Sequence, residues 1–352
     1  MERVQGIIKR IRPVDPAVGQ QAQAHLDDLT KPQGSLGRLE ELARSLAVMR
    51  GGARLSQPRA AVAVFAADHG ITRAGVSLYP AEVTPQMVLN FLGGGAGINA
   101  LARQAGAEVR VVDVGVNYDF GQAPGLIQAK VAKGTANFAL EPAMTREQTL
   151  AAIMVGAKLA ADLIAEGFDL LIPGDMGIGN TTPCAALTAV LCGRPVAEVT
   201  GRGTGLDDQG LAAKVKTIEQ ALALHRPSAD DPLEALRLVG GLEVAAIAGY
   251  VLQAAASRVP VILDGFIATS GALVAAGLCP LVKQYLLAGH CSVEIGHRAQ
   301  LDKLGLAPIL DLNLRLGEGT GAALALLVVR AAVAIYNEMA TFASAGVSEH
   351  KE

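Results

Sequence analysis

The sequence predicts an α/β fold with a parallel, Rossmann-like sheet covered by helices on both faces. Three observations predict it. A chain of 352 residues that is 51% hydrophobic can bury a large core. Short β-branched runs alternate with longer helical patterns, as crossover connections between parallel strands require. Each of the clearest runs also empties into polar or glycine-rich sequence.

Taken in order, the strands are Ala60 to Ala67, Glu108 to Val114, Asp169 to Ile172 and Val259 to Leu263. They end in Asp68-His69-Gly70, Gly115-Val116-Asn117, Gly174-Asp175-Met176-Gly177 and Asp264-Gly265-Phe266. Ligands of open α/β sheets bind beyond the carboxyl ends of the strands, so these four segments are expected to share one crevice. Gly93 to Gly97 interrupts a helical pattern and is expected to break a helix. The two ends read as helices without neighbouring strands. They are expected to pack together as a small helical domain, 1–50 with 320–352, beside an α/β catalytic domain, 51–319.

Composition excludes several function classes. Thirty basic residues against 33 acidic give a formal net charge of -3, and with no basic block the chain lacks an electrostatic footprint for nucleic acid. Four cysteines without a Cys-x-x-Cys pair indicate neither a zinc site nor a disulfide framework, and suit a reducing cytoplasm. The N-terminus has no sustained apolar run or cleavage site, so export is not expected. Ala322 to Tyr336 is the most membrane-like stretch, but it is short and carries Arg330, so it reads as a buried helix and no membrane is expected.

The most informative segment is Leu170 to Pro183, a short apolar strand running into a glycine loop that opens a helix. Gly177 and Gly179 permit a tight turn, Thr182 is a candidate cap and Pro183 suits a first turn. Free N–H groups at a helix start favour a phosphate. No Gly-Lys-Ser/Thr follows and the spacing is not Gly-x-Gly-x-x-Gly, so a mononucleotide phosphate is expected; an ordinary strand-to-helix turn is the alternative. A second segment, Arg315 to Gly321, places Glu318 between glycines. It is either a general base whose pKa is raised by partial burial or a carboxylate complementing the following helix. Lys214 is in reach of an anion or simply solvated. Ser292 reads as a helix cap and second phosphate donor after a loop containing Gly289. Tyr79, Gln86 and Met87 can frame a flat heterocycle or pack in a core. His69, His290 and His297 lack metal-ligand spacing.

Leu29 to Glu40, Ala67-Asp68-His69-Gly70, Gly174 to Pro183, Leu263-Asp264-Gly265-Phe266 and Arg315 to Gly321 together resemble the nicotinate-nucleotide:dimethylbenzimidazole phosphoribosyltransferases of cobalamin biosynthesis. The resemblance covers nearly the whole chain. It implies a three-layer α/β/α domain, a small domain from both chain ends, and a homodimer. It also implies transfer of 5-phosphoribose from nicotinate mononucleotide to 5,6-dimethylbenzimidazole or a related base, with no metal and no cofactor. Glu318 falls on the catalytic glutamate, and Gly177, Ile178, Gly179, Asn180 and Thr181 on the phosphate loop. Lys214 and Ser292 fall near the phosphoribosyl group, and Tyr79, Met87 and Leu316 on the base pocket, to which Gln86 is added. Asp175 stands where other members carry glutamate, so it is assigned to ribose and not to base catalysis. A non-catalytic nucleotide-binding protein and a Rossmann dehydrogenase are the competing classes; the missing dinucleotide fingerprint disfavours the second.

Overall fold

The computed structural model describes residues 1–348; positions 349–352, which belong to the expected helical unit, lie outside the described residues. Seven strands form one parallel sheet: β1 (Ala60–Ala67), β2 (Glu108–Gly115), β3 (Leu126–Gln128), β4 (Leu170–Met176), β5 (Val261–Leu263), β6 (Leu286–His290) and β7 (Pro308–Leu310). Their order is β3-β2-β1-β4-β5-β6-β7, with every pairing parallel. The chain therefore winds outward from β1 to β3, then returns to the other side of β1 and winds outward again to β7. The reversal point, between β1 and β4, is where such folds open a crevice.

The central strand β1, Ala-Ala-Val-Ala-Val-Phe-Ala-Ala, is buried along its entire length, because helices cover both faces and neither side alternates with water. Leu242–Ala256 and Phe266–Leu278 pack together over one face, and Thr320–Glu338 lies against Gly97–Ala105 over the other. A second feature widens the crevice. β4 pairs with β5 only at Leu171–Val261, so the strands part above that point, where Pro173 has no N–H to give to a ladder.

Three strands went unannounced in the sequence. β3 and β7 have three residues each, and β6 is Leu-Leu-Ala-Gly-His, too short to display a period. One consequence is a correction: Gly289 lies inside β6 and not in a loop leading to a helix. The break at Gly93 to Gly97 separates the helices Val83–Leu92 and Gly97–Ala105.

The two ends of the chain meet. Leu29 bridges Thr341, the His25 ring stands edge-on to Tyr336, and Arg38–Arg50 packs on Thr320–Glu338. Thr320–Glu338 also runs along β4 to β7, while the first helix, Glu2–Ile8, rests on Leu242–Ala256 and Arg146–Ala165. Two helices, Arg146–Ala165 and Thr320–Glu338, are long and apolar enough to cross a bilayer. The second is longer than the sequence suggested, and its Arg330 is tied down by the carbonyls of Pro58, Ala105 and Gly106.

Candidate active site

Above the carboxyl ends of β4, β5 and β6 lies a cavity of about 480 Å³. Its floor is the turn after β4. Gly177 leaves the strand in van der Waals contact with its neighbours: a Cβ there would lie 2.4 Å from the Ala67 carbonyl oxygen. Gly179 turns with φ +86°, in the region glycine occupies without strain. Within the turn, the Ile178 N–H donates to Thr84 Oγ1 (3.1 Å), the Asn180 N–H to the Gly177 carbonyl (3.1 Å) and the Thr182 N–H to the Gly179 carbonyl (3.0 Å). The N–H groups of Gly179 and Thr181 have no acceptor among the described residues. They are the donors left for an anion at the start of Thr181–Cys192. Thr182 does not cap that helix, whose N-cap is Asn180. The Thr182 hydroxyl is buried without a partner.

Lys214 reaches this turn from Asp208–His225. It is buried, not solvated, with Nζ 2.7 Å from Thr181 Oγ1 and 3.3 Å from the Gly201 carbonyl. Burial lowers its pKa to about 8, against the pull of Glu294, so it remains mostly cationic at neutral pH. Asp207 caps this helix by accepting from the Gly210 N–H. Ser292 follows β6 and lines the cavity. It is not a helix cap, because the next helix begins only at Gly296. Its N–H donates to His297 Nδ1 (2.9 Å), and His297 Nε2 lies 3.0 Å from Thr269 Oγ1. Burial and the neighbouring His290 push His297 down to about 3. The ring is therefore neutral, accepting at Nδ1 and donating from Nε2.

Glu318 occupies the opposite wall. Gly317, Glu318 and Gly319 all have positive φ (82°, 64° and 94°), and Glu318 is the one that carries a side-chain penalty there. Asp264 holds the segment in place: Oδ1 accepts from the N–H groups of Gly321 (2.7 Å) and Ala322 (3.0 Å), and Oδ2 from Gly319 (3.2 Å). The bare Gly174 admits the loop, since a Cβ there would lie 2.3 Å from the Glu318 carbonyl oxygen. Glu318 Oε2 accepts from the Ile98 N–H at 3.0 Å. Its carboxylate thus complements the start of Gly97–Ala105 and not the helix that follows it. Burial raises its pKa, with Asp264 adding to the effect and the Ile98 N–H opposing it.

Asp175 lies between the two walls and accepts from Asn180 Nδ2 at 3.0 Å. Burial, then Asp264, Glu243 and Glu318, push its pKa well above the usual carboxylate range. A raised pKa works against the charge, and so against the repulsion, that an aspartate beside this turn would otherwise bring.

The remaining wall is apolar. Val83 and Met87, four residues apart on Val83–Leu92, face the cavity together with Tyr79 and Leu316. Gln86, one position from Met87, is turned out to solvent and is not part of the wall. Of the four strand-end segments expected to share the crevice, Asp175 to Gly177 and Gly265-Phe266 line the cavity, whereas Asp68-His69-Gly70 does not. Gly115 to Asn117 stands behind them, with the Asn117 N–H donating to Asp68 Oδ2 at 2.7 Å. Sequence reasoning had placed Asp264 at the crevice without a role. A lone aspartate after a strand does not reveal which N–H groups, more than fifty residues away, it will bind.

A glycine turn with two N–H groups free among the described residues, an apolar wall and a buried carboxylate surround one cavity, in a chain that is similar in sequence to known phosphoribosyltransferases. The profile of a phosphoribosyltransferase family matches residues 11–347. The nicotinate-nucleotide–dimethylbenzimidazole phosphoribosyltransferase of Geobacter sp. (strain M21) is 58% identical over 348 residues, covering 99% of this chain and 100% of its own. That of Geotalea uraniireducens (strain Rf4) is 58% identical over 349 residues, covering 99% of each. The chain belongs to this phosphoribosyltransferase family. The crystal structure of the enzyme of that name from Thermus thermophilus superposes with a TM-score of 0.90 at 50% identity, covering 96% of this chain and 100% of the other. Family membership thus extends to the three-dimensional arrangement in which the cavity is set.

Proposed function

We propose that this phosphoribosyltransferase moves 5-phosphoribose from nicotinate mononucleotide to 5,6-dimethylbenzimidazole, giving α-ribazole 5′-phosphate and nicotinate, with Glu318 as general base. The observation that carries this is the position of Glu318: a buried carboxylate of raised pKa, held at positive φ, in the wall of a cavity that also contains the anion turn and an apolar face.

The chemistry needs little else. The departing pyridine is cationic on nitrogen, so the electron pair of its bond to C1 of the ribose neutralises it and no general acid is required. One benzimidazole nitrogen attacks C1 while the other gives up its proton, and Glu318 takes that proton. Gly177, Gly179, Asn180, Thr181, Lys214 and Ser292 bind the phosphoribosyl group. Ile178 supports them through its bond to Thr84, and the Asp175 carboxyl faces the ribose. Tyr79, Met87 and Leu316, with Val83 added and Gln86 left out, bind the base. Holding donor and acceptor in line supplies much of the remaining acceleration. We extend the proposal to the homodimer that the resemblance implies, and to residues 1–50 with 320–352 as a helical unit beside 51–319. We also infer a cytoplasmic setting, which suits four free cysteines, three of them buried.

A single-turnover assay with both substrates tests the activity. Nicotinate and α-ribazole 5′-phosphate should appear in equal amounts, and a panel of other bases then ranks the acceptor. Binding of the mononucleotide without any product would leave only a nucleotide-binding protein.

Gly179→Val tests the turn. A β-branched side chain is strained at φ +86°, and its Cβ would lie 2.7 Å from Thr72 Cγ2. Calorimetry should find nicotinate mononucleotide weakened by about 10-fold or more and dimethylbenzimidazole hardly affected. Equal losses for both ligands would place the phosphate elsewhere.

A further inference from the structure

His69 follows Asp68, the first residue after β1, and the chemistry above does not use it. Its ring is buried with Nε2 2.9 Å from Oε1 of Glu243, in the first turn of Leu242–Ala256. Beyond this contact neither the ring nor the carboxylate has a hydrogen-bond partner among the described residues. An ion pair so isolated is a poor device for stability, because desolvating two charges offsets most of their attraction.

Its place in the fold is more informative. A Cβ on Gly177 would lie 3.1 Å from His69 Nε2, and one on Gly241, the N-cap residue of the helix carrying Glu243, would lie 2.6 Å from His69 Cε1. The imidazole is thus wedged between the first residue of the anion turn and the start of that helix, with no side chain intervening on either side. Burial works against the imidazolium, but Glu243 and Asp68 more than compensate and leave the His69 pKa raised. The imidazole of the pair lies against the anion turn. The negative member is anchored on the helix behind it.

We propose that His69 and Glu243 form a positioning pair for the substrate's 5′-phosphate, fixing the Gly177 turn and presenting the positive end of a buried dipole to the anion. This rests on the assignment of the turn to the donor phosphate. Neither residue is a catalytic residue. Their effect reaches the substrate through the Gly177 backbone and through the field at the turn.

The test compares nicotinate mononucleotide with the corresponding nucleoside, which lacks the phosphate. Glu243→Gln keeps shape and an acceptor oxygen but removes the charge. It should weaken mononucleotide binding by about tenfold while nucleoside and dimethylbenzimidazole affinities and kcat at saturation stay near wild type. In the double variant His69→Gln with Glu243→Gln, two amides replace the ion pair. It should regain melting temperature without regaining mononucleotide affinity, and it decides the matter alone if the single variant does not fold. Equal weakening of nucleotide and nucleoside, an unchanged mononucleotide affinity, or recovery of that affinity in the double variant overturns the proposal. A wild-type protein that binds nucleoside as tightly as nucleotide would instead overturn the phosphate assignment itself.

Discussion

Glu318→Gln is expected to lower kcat by about 10²- to 10⁴-fold, the range for losing a general base, with the affinity for nicotinate mononucleotide little changed. The amide can still accept from the Ile98 N–H through one oxygen, so the strained Gly317 to Gly319 segment and the cavity wall should survive. Only the proton acceptor is lost. Wild-type activity should also show its origin in pH. A base works when deprotonated, and burial together with Asp264 holds Glu318 above the ordinary glutamate range. Turnover should therefore rise with pH through a limb displaced upward from that range, and fall as pH drops below it. Glu318→Gln should abolish the limb along with the rate. Steady-state kinetics at saturating substrates over a pH series measures both. Near wild-type turnover in the variant, or a limb that persists at the same place, would remove Glu318 from the proton transfer.

The sheet was legible where it is longest. β1 and β2 have eight residues each, enough for β-branched runs to stand out between helices, and the turns after β1, β4 and β5 bore the polar and glycine residues that a crevice needs. β3, β6 and β7 have three to five residues, so nothing local distinguishes them from loop or helix end, and only the pairing partner makes them strands. The site was legible in the same uneven way. Glu318 stood out because a carboxylate between glycines contradicts the preference of its neighbours, and a local contradiction of that kind often marks function. Lys214 was ambiguous because nothing in a helical sequence says which lysine the Gly201 to Gly205 turn will bury. Gln86 and Met87 differ by one position, and the orientation of the helix against β1 and β4 decides which of them faces the cavity. The partners of Asp264 and His69 were invisible for another reason: Gly319 to Ala322 and Glu243 are brought to them only by the completed fold.

Asp264→Asn is expected to damage the protein almost as severely as the loss of Glu318, by a different route. The Asp264 carboxylate is fully buried and accepts from three N–H groups, two on Oδ1 and one on Oδ2. An asparagine offers one oxygen. Whichever way the amide turns, its NH2 faces at least one of those N–H donors, and the stability lost should be on the order of 2–4 kcal/mol for a charged, buried acceptor. The amide oxygen is best kept on the Gly321 and Ala322 N–H groups, which releases Gly319; Glu318 then loses the tether that keeps it at φ 64°, and relaxation of that strain should carry its carboxylate away from the cavity. Turnover should fall by about 10²-fold, with a smaller effect on the Michaelis constant for the mononucleotide, whose phosphate turn lies on the other wall. The negative charge of Asp264 also helps to raise the Glu318 pKa. In the residual activity of Asp264→Asn the acid limb should accordingly move down toward the ordinary glutamate range. Thermal melts together with the pH–rate profile separate the two effects. If the melting temperature falls while turnover and the limb stay at their wild-type values, Asp264 merely caps the C-terminal helix, and the geometry of Glu318 has another source.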